Sequence, residues 1–196
     1  MSRLTVAGGL LMAASASFAT ITFSNIVVTL PAGFTQSAVF TGTSDIDFHF
    51  ADAMAGDFQA VRSGTITISY QAAAAPGFEI TGMNLSVLGG ALGSGIVGID
   101  EEIRSGSPFG PLLGSFSAVA PADGDLPINH YMEFDGSATT IFVTKNIRVD
   151  ATADTNDFDF AAVGLVEQSY TVVPEPATMA AVTLGFGMLA ARRRRR

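Results

Sequence analysis

The chain has 196 residues, lacks cysteine and tryptophan, and carries 18 acidic against 10 basic residues. Arg3 and the five arginines at 192–196 lie in the terminal segments, so the body between Thr20 and Val173 keeps four basic and 17 acidic residues, a net charge of −13. This charge excludes nucleic acid and anionic lipid as electrostatic partners, and the absence of cysteine excludes thiol catalysis, disulfides and thiolate metal sites.

Residues 1–19 have the pattern of a secretory signal peptide. Arg3 supplies the positive charge, residues 4–14 the apolar stretch, and Ser17-Phe18-Ala19 a cleavage site before Thr20. Cleavage after Ala16 is the alternative, and a first strand or helix of the domain is the other interpretation. The segment predicts export through the Sec translocon, with the mature chain starting at Thr20 after a cut behind Ala19.

The body reads as short strands separated by turns. Residues 45–50 and 65–70 alternate strictly between apolar and polar side chains, which is the period of a half-buried strand. The other predicted strands, in chain order, are residues 20–30, 37–41, 78–88, 96–103, 114–118, 131–134, 139–152 and 158–173. Residues 52–59 predict one helical turn, and residues 139–173 predict a terminal hairpin.

This spacing of strands, without alternating helices, predicts an all-β fold consisting of a single antiparallel β-sandwich, either jelly-roll-like or immunoglobulin-like. The body at 20–173 has about 154 residues, enough for one domain with its own core in the absence of disulfides.

Asp45, Asp47 and His49 alternate with apolar residues and should therefore share one face of a strand. Two carboxylates and an imidazole in a row are suited to hold a divalent cation or to exchange protons. The alternative is the ordinary solvent-facing side of a strand whose other face is buried.

The segment carrying Asp154, Asn156, Asp157 and Asp159 resembles the start of a calcium loop, because oxygen-bearing side chains recur in it. It lacks the glycine and the bidentate glutamate that an EF-hand requires at its sixth and twelfth positions. A turn capped by Asp and Asn side chains is the alternative. Calcium is the only cofactor that the sequence suggests.

No catalytic constellation is visible. The chain has two histidines and no Gly-x-Ser-x-Gly elbow, and no spacing singles out a pair of carboxylates. The run Asp100-Glu101-Glu102 is interpreted as turn and surface, and His130 as a loop residue. The sequence therefore predicts no enzyme activity.

The C-terminal segment has three ordered parts. Val173, Pro174, Glu175 and Pro176 form a motif in which two prolines should end the sheet and hold the chain extended and accessible. Residues 177–191 are uncharged and predict a hydrophobic transmembrane helix. The block of basic residues that should stay on the cytoplasmic side consists of Arg192, Arg193, Arg194, Arg195 and Arg196.

This order of features resembles the PEP-CTERM sorting signal of exported bacterial proteins, which an exosortase, a membrane transpeptidase, processes. The resemblance implies that Pro174, Glu175 and Pro176 are recognised and that the tail is removed after transient anchoring in the inner membrane. An ordinary C-terminal membrane anchor is the alternative.

The resemblance also implies a non-enzymatic protein of the envelope or extracellular matrix, associated with exopolysaccharide and biofilm material. The alternatives are a carbohydrate- or calcium-binding module and a secreted polysaccharide hydrolase.

Overall fold

The computed structural model describes residues 20–57, 59, 61–121, 126–152, 158–176 and 183–184. Every strand pair in these residues is antiparallel, which confirms the predicted all-β antiparallel fold. The predicted signal peptide lies outside the described residues. The strands are β1 Ile21–Thr29, β2 Gln36–Thr41, β3 Asp45–Phe50, β4 Met54–Gly56, β5 Ser63–Ala74, β6 Phe78–Leu92, β7 Ile96–Ser105, β8 Leu112–Ala120, β9 Ile128–Ala138, β10 Thr140–Asp150 and β11 Phe160–Pro174.

The strands form two sheets. The five-stranded sheet has the order β1-β5-β10-β7-β8, and the six-stranded sheet has the order β2-β3-β11-β6-β9, with β4 also paired to β11. The pairs β7–β8, β6–β9, β5–β10 and β3–β11 are nested within one another along the chain and alternate between the two sheets. This nesting is the strand order of a double-sheet jelly roll, to which β1 and β2 add one edge strand each.

The core between the sheets comes from the period-two alternation of the strands. Ile46, Phe48 and Phe50 of β3 are buried, and so are Ile66, Ile68 and Tyr70 of β5. One cluster contains apolar side chains of both sheets, so the sheets pack face to face. The other face of each sheet stays in contact with solvent and carries the polar residues.

The predicted helical turn at 52–59 is wrong, because this segment contains the short strand β4. Met54, Ala55 and Gly56 pair with Ala162, Ala161 and Phe160 of β11. Gly56 has a φ of +139°, far from helical values, and a Cβ there would lie 2.2 Å from the carbonyl oxygen of Asp159. Pairing with a strand about 100 residues away has outweighed the local preference of this segment.

The predicted terminal hairpin at 139–173 is also wrong. β10 lies between β5 and β7 in one sheet, whereas β11 lies between β3 and β6 in the other. The nested pairing gives each of these strands partners that are distant in sequence.

Candidate functional site

A groove crosses the solvent-facing side of the six-stranded sheet and has a volume of about 570 Å³. We call it the outer groove. Its polar lining comes from alternate positions of four neighbouring strands, because only one side of each strand faces solvent. These residues are Asp45, Asp47, Asn84, Ser86, Asn129, Tyr131, Glu167 and Ser169.

Strand register arranges this lining in two rows. In the first, Asp47 lies opposite Glu167, Glu167 opposite Ser86, and Ser86 opposite Asn129. Each row covers three interstrand gaps, a width of about 14 Å at about 4.8 Å per gap. The second row consists of Asp45, Ser169, Asn84 and Tyr131.

The three carboxylates of the outer groove are available to a ligand. Within the described part of the chain, the side chains of Asp45, Asp47 and Glu167 form no hydrogen bond and no ion pair. Partial burial raises the pKa of Asp47 above its usual value; the charge of Asp45 adds to this rise, and His49 opposes it. The groove therefore presents hydrogen-bond acceptors whose negative charges repel one another.

A second groove, of about 490 Å³, lies across the five-stranded sheet, and its carboxylates already have partners. Asp100 accepts a hydrogen bond from Ser117 at 2.6 Å, and Glu102 forms an ion pair with Arg104 at 2.9 Å. This contrast makes the outer groove the stronger candidate for ligand binding.

The three residues that were predicted to share one face of β3 lie on its solvent side, but they do not form one site. Asp45 and Asp47 line the outer groove, whereas the ring of His49 packs edge-on against Phe40, with centroids 5.1 Å apart. Among the residues that the structure describes, including Asp45, Asp47 and His49, no three histidine or acidic side chains are grouped so that they could hold a metal ion.

The predicted calcium loop is only partly described. Asp154, Asn156 and Asp157 lie outside the described residues. Asp159 is buried, accepts a hydrogen bond from the backbone N–H of Ser94 at 2.6 Å, and donates its own N–H to Asp57 at 3.0 Å. Calcium binding here stays a prediction, which a calorimetric titration with calcium would test.

A buried polar cluster was missed by the sequence analysis. Glu101, interpreted as a surface residue, is only 1% exposed, and Lys145, Gln168 and Tyr70 are buried beside it. The alternation of the sequence could have indicated this cluster, because Glu101, Lys145 and Gln168 each lie two residues from inward-facing neighbours on both sides. The flanking pairs are Ile99 and Ile103, Val143 and Ile147, and Val166 and Tyr170.

The interpretation of His130 as a loop residue is likewise wrong. It lies in β9 and stacks on Phe116 of β8, with ring centroids 3.8 Å apart. The two rings close the edge of the sandwich between the sheets.

The end of β11 corrects the expectation that the prolines stop the sheet. Pro174 lies opposite Phe78 in the β11–β6 ladder, and the N–H of Glu175 donates to the carbonyl oxygen of Gly77 at 2.8 Å. β3 pairs with β11 only up to Ser169, and no other described strand pairs with β11 on that side beyond it, so a proline there leaves no ladder partner without a donor. Val173, Pro174 and Pro176 are exposed, whereas Glu175 is half-buried.

Residues 172–196 match the family model of the PEP-CTERM protein-sorting motif. The chain carries a PEP-CTERM sorting motif. The motif implies an exported protein that is held at the membrane and processed by an exosortase. Of the predicted tail helix only Thr183 and Leu184 are described, both helical, and Arg192–Arg196 lie outside the described residues. Within the described ranges, no helix has the length and hydrophobicity needed to cross a bilayer.

No curated protein matches this chain. Among solved structures, TmCBM61 in complex with β-1,4-galactotriose is 12% identical, with a TM-score of 0.40, over 78% of this chain and 90% of that one. A CBM4 structure is 9% identical, with a TM-score of 0.32, over 73% of this chain and 79% of that one.

The glycosylation-associated protein complex Gap123 from Streptococcus agalactiae is 10% identical, with a TM-score of 0.36, over 73% of this chain and 24% of that one. At these TM-scores the likenesses decide nothing about the fold or the ligand of this chain.

Proposed function

We propose that this PEP-CTERM protein is a non-enzymatic component of the cell envelope or extracellular matrix that binds an uncharged polysaccharide in its outer groove. The observation that carries the binding proposal is the set of three carboxylates, Asp45, Asp47 and Glu167, that have no partner within the described residues. The association with exopolysaccharide and biofilm material comes from the resemblance to other PEP-CTERM proteins.

The chemistry of the outer groove suits a polyhydroxylated ligand. Sugar hydroxyls donate hydrogen bonds to carboxylates, and the amides of Asn84 and Asn129 both donate and accept. Tyr131 is 57% exposed at the end of its row and offers an aromatic face to the apolar side of a sugar ring. The width of about 14 Å, from three strand spacings, accommodates more than one ring.

The charge of the groove sets the class of polysaccharide. Three negative side chains on a body with a net charge of −13 repel polymers of uronic acids or sulfated sugars. Neutral glycans are not repelled by these charges. We therefore expect selectivity for uncharged chains, strongest at low salt, where charge repulsion is least screened.

Binding is tested by calorimetric titration of the exported protein with neutral oligosaccharides and with a uronic acid oligosaccharide. Glu167→Gln should weaken binding of the neutral ligand about tenfold or more, since hydrogen bonds to a charged group contribute about 1.5–3 kcal/mol. Glu133→Gln is the matched control, because Glu133 is exposed on β9 of the same sheet but outside the groove. Equal affinities of the parent protein, Glu167→Gln and Glu133→Gln for the neutral ligand would contradict the proposal.

The sorting half of the proposal is tested by replacing Pro174, Glu175 and Pro176 together by Ala. The variant should stay in the inner membrane with its tail attached, whereas the parent protein is released. The mass of the C-terminal peptide from surface protein would locate the cut and any added group. Release of the variant at the normal rate would show that the motif is not what the enzyme recognises.

A polysaccharide hydrolase is the second candidate, and one observation favours it. Asp47 and Glu167 lie directly opposite each other on β3 and β11, which places their Cβ atoms about 4.5–5.5 Å apart. Glycosidases use two carboxylates at such close range. If the parent protein releases reducing ends from a polysaccharide and Glu167→Gln does not, the protein is a hydrolase and the binding proposal is wrong.

A further inference from the structure

An amine, a carboxylate and a carboxamide meet in the core between the two sheets. Lys145 of β10 lies opposite Glu101 of β7, and its Nζ contacts Glu101 Oε1. Gln168 reaches the same oxygen from the other sheet, because its Nε2 donates to Glu101 Oε1 at 2.8 Å. All three side chains are buried. One carboxylate oxygen therefore touches both the lysine amine and the amide nitrogen of the glutamine.

The carbonyl of this glutamine is polarised from its other side. The hydroxyl of Tyr70 donates to Gln168 Oε1 at 2.5 Å. A tyrosine has one O–H, so the second contact of Tyr70 Oη, with Tyr170 Oη at 2.5 Å, is a bond donated by Tyr170. Two hydroxyl groups in series thus point toward the oxygen on which charge would develop if the amide carbon were attacked.

The cluster is poorly explained as a stabilising ion pair. Burying two opposite charges usually gains little compared with apolar side chains of the same volume. Within the described residues, Glu101 Oε2 is buried and has no hydrogen-bond partner. Burial lowers the pKa of Lys145, although Glu101 partly opposes this shift. A buried lysine with a lowered pKa is a reactive group, because the unprotonated amine is a nucleophile.

We propose that Lys145 and Gln168 become joined by an intramolecular isopeptide bond, formed once per chain with Glu101 as the proton carrier. The site is a covalent modification site within the fold, and its Gln168 side chain lies between the groove residues Glu167 and Ser169 along β11.

The reaction balances without a co-reactant. Glu101 takes a proton from the Lys145 ammonium, and the neutral Nζ attacks Cδ of Gln168. Tyr70 stabilises the oxyanion of the tetrahedral intermediate. Glu101 delivers its first proton to Nε2 and takes the second proton from Nζ, so the C–N bond to Nε2 breaks, ammonia leaves, and one proton remains on Glu101. The products are one Nζ–Cδ amide and one ammonia molecule, with no oxidation or reduction.

The bond would connect the two sheets directly. It joins β10 to β11, which lie in different sheets and have no backbone hydrogen bonds to each other. β11 is also the strand that leads into the sorting motif. A cross-link here would serve an exported domain without cysteine as a disulfide serves others, by restricting the unfolded chain.

The test is the intact mass of the exported protein. We expect a mass lower by one ammonia molecule than the processed sequence requires. Cyclisation of an asparagine gives the same loss, so a protease digest must also contain a branched peptide that carries both Lys145 and Gln168. Lys145→Met, Glu101→Gln and Gln168→Leu should each abolish the branched peptide, and Glu102→Gln, an exposed neighbour on β7, should retain it.

Other outcomes overturn the proposal. A parent mass equal to the sequence, with separate Lys145 and Gln168 peptides, shows that no bond forms, and this result does not depend on any variant folding. Loss of one water molecule, with a branched peptide joining Lys145 to Glu101, shows that Gln168 is not the acceptor. Retention of the branched peptide in Glu101→Gln removes Glu101 as the proton carrier.

Discussion

The N–H of Glu175 donates to the carbonyl oxygen of Gly77 at 2.8 Å, so sheet hydrogen bonding extends into the PEP-CTERM motif. Gly77 adopts a positive φ of 83° in the turn between β5 and β6, a conformation that glycine reaches without steric cost. An enzyme that binds the motif as an extended strand must reach a backbone already paired on one side. Processing is therefore expected to require that the last residues of β11 separate from β6.

A disulfide clamp at this end should slow processing. Val173 lies opposite Glu79, and Cα atoms of a hydrogen-bonded antiparallel pair are about 5.5 Å apart, within the range of about 4.4–6.8 Å that a disulfide bridges. The variant Val173→Cys/Glu79→Cys should be processed severalfold more slowly when oxidised, as measured by the loss of the tail over time. The chain has no other cysteine to interfere.

The controls separate the clamp from damage to the motif. Each single cysteine variant should be processed at close to the parent rate, and a membrane-permeant reductant should restore processing of the double variant. Equal processing of the oxidised and reduced forms would show that the enzyme accepts the motif while it is still paired to β6.

Core packing on β3 should dominate stability. Phe48 is fully buried, whereas Phe40 on the paired strand β2 is 57% exposed. Phe48→Ala should lower the free energy of unfolding by about 3–5 kcal/mol, through lost burial and the cavity that remains. Phe40→Ala should change it by less than about 1 kcal/mol. Urea denaturation followed by circular dichroism measures both, and similar losses would show that β3 does not face the core.

The sequence predicted ten of the eleven strands, and strict alternation marked two of them, β3 and β5, because one face of each is buried and the other solvated. β3 is the clearest case, since its predicted and observed bounds coincide at Asp45–Phe50. Alternation carries no information about which strand pairs with which. The three-residue strand β4 is too short for a period, and the partners of β10 and β11 depend on the nesting of the whole chain.

The candidate sites also could not be predicted in full, because the sequence pattern does not show which strands are neighbours. Asp45 and Asp47 were identified from β3 alone, but the groove also needs Glu167 from β11, and only strand register brings these residues together. Glu101 was interpreted as a surface residue because of its charge, without regard to its place in the alternating pattern of β7. Its neighbours Ile99 and Ile103 already indicated an inward side chain.

Tyr131 should contribute to glycan binding by stacking. Tyr131→Ala should weaken the binding of a neutral oligosaccharide about threefold to tenfold, the equivalent of an aromatic contact of about 0.5–1.5 kcal/mol. Phe109→Ala is the control, because Phe109 is 95% exposed between β7 and β8 and does not line the outer groove. Calorimetric titration gives both affinities. An equal loss in the two variants would indicate nonspecific contact with aromatic side chains.

Stability should fall at alkaline pH because of the buried tyrosines. Burial raises the pKa values of Tyr70 and Tyr170 well above the ordinary 10.0, and the negative charge of Glu101 adds to both shifts. Above about pH 10 the unfolded chain releases these protons while the folded chain keeps them, so the stability present at lower pH is progressively lost as the pH rises. The melting temperature measured between pH 8 and about pH 11 should therefore drop steeply above about pH 10.

The double variant Tyr70→Phe/Tyr170→Phe is the control. It should start from a lower melting temperature, because Gln168 Oε1 loses its donor, but its melting temperature should decline less over the same pH range. Parallel declines in the two proteins would show that other groups cause the alkaline transition.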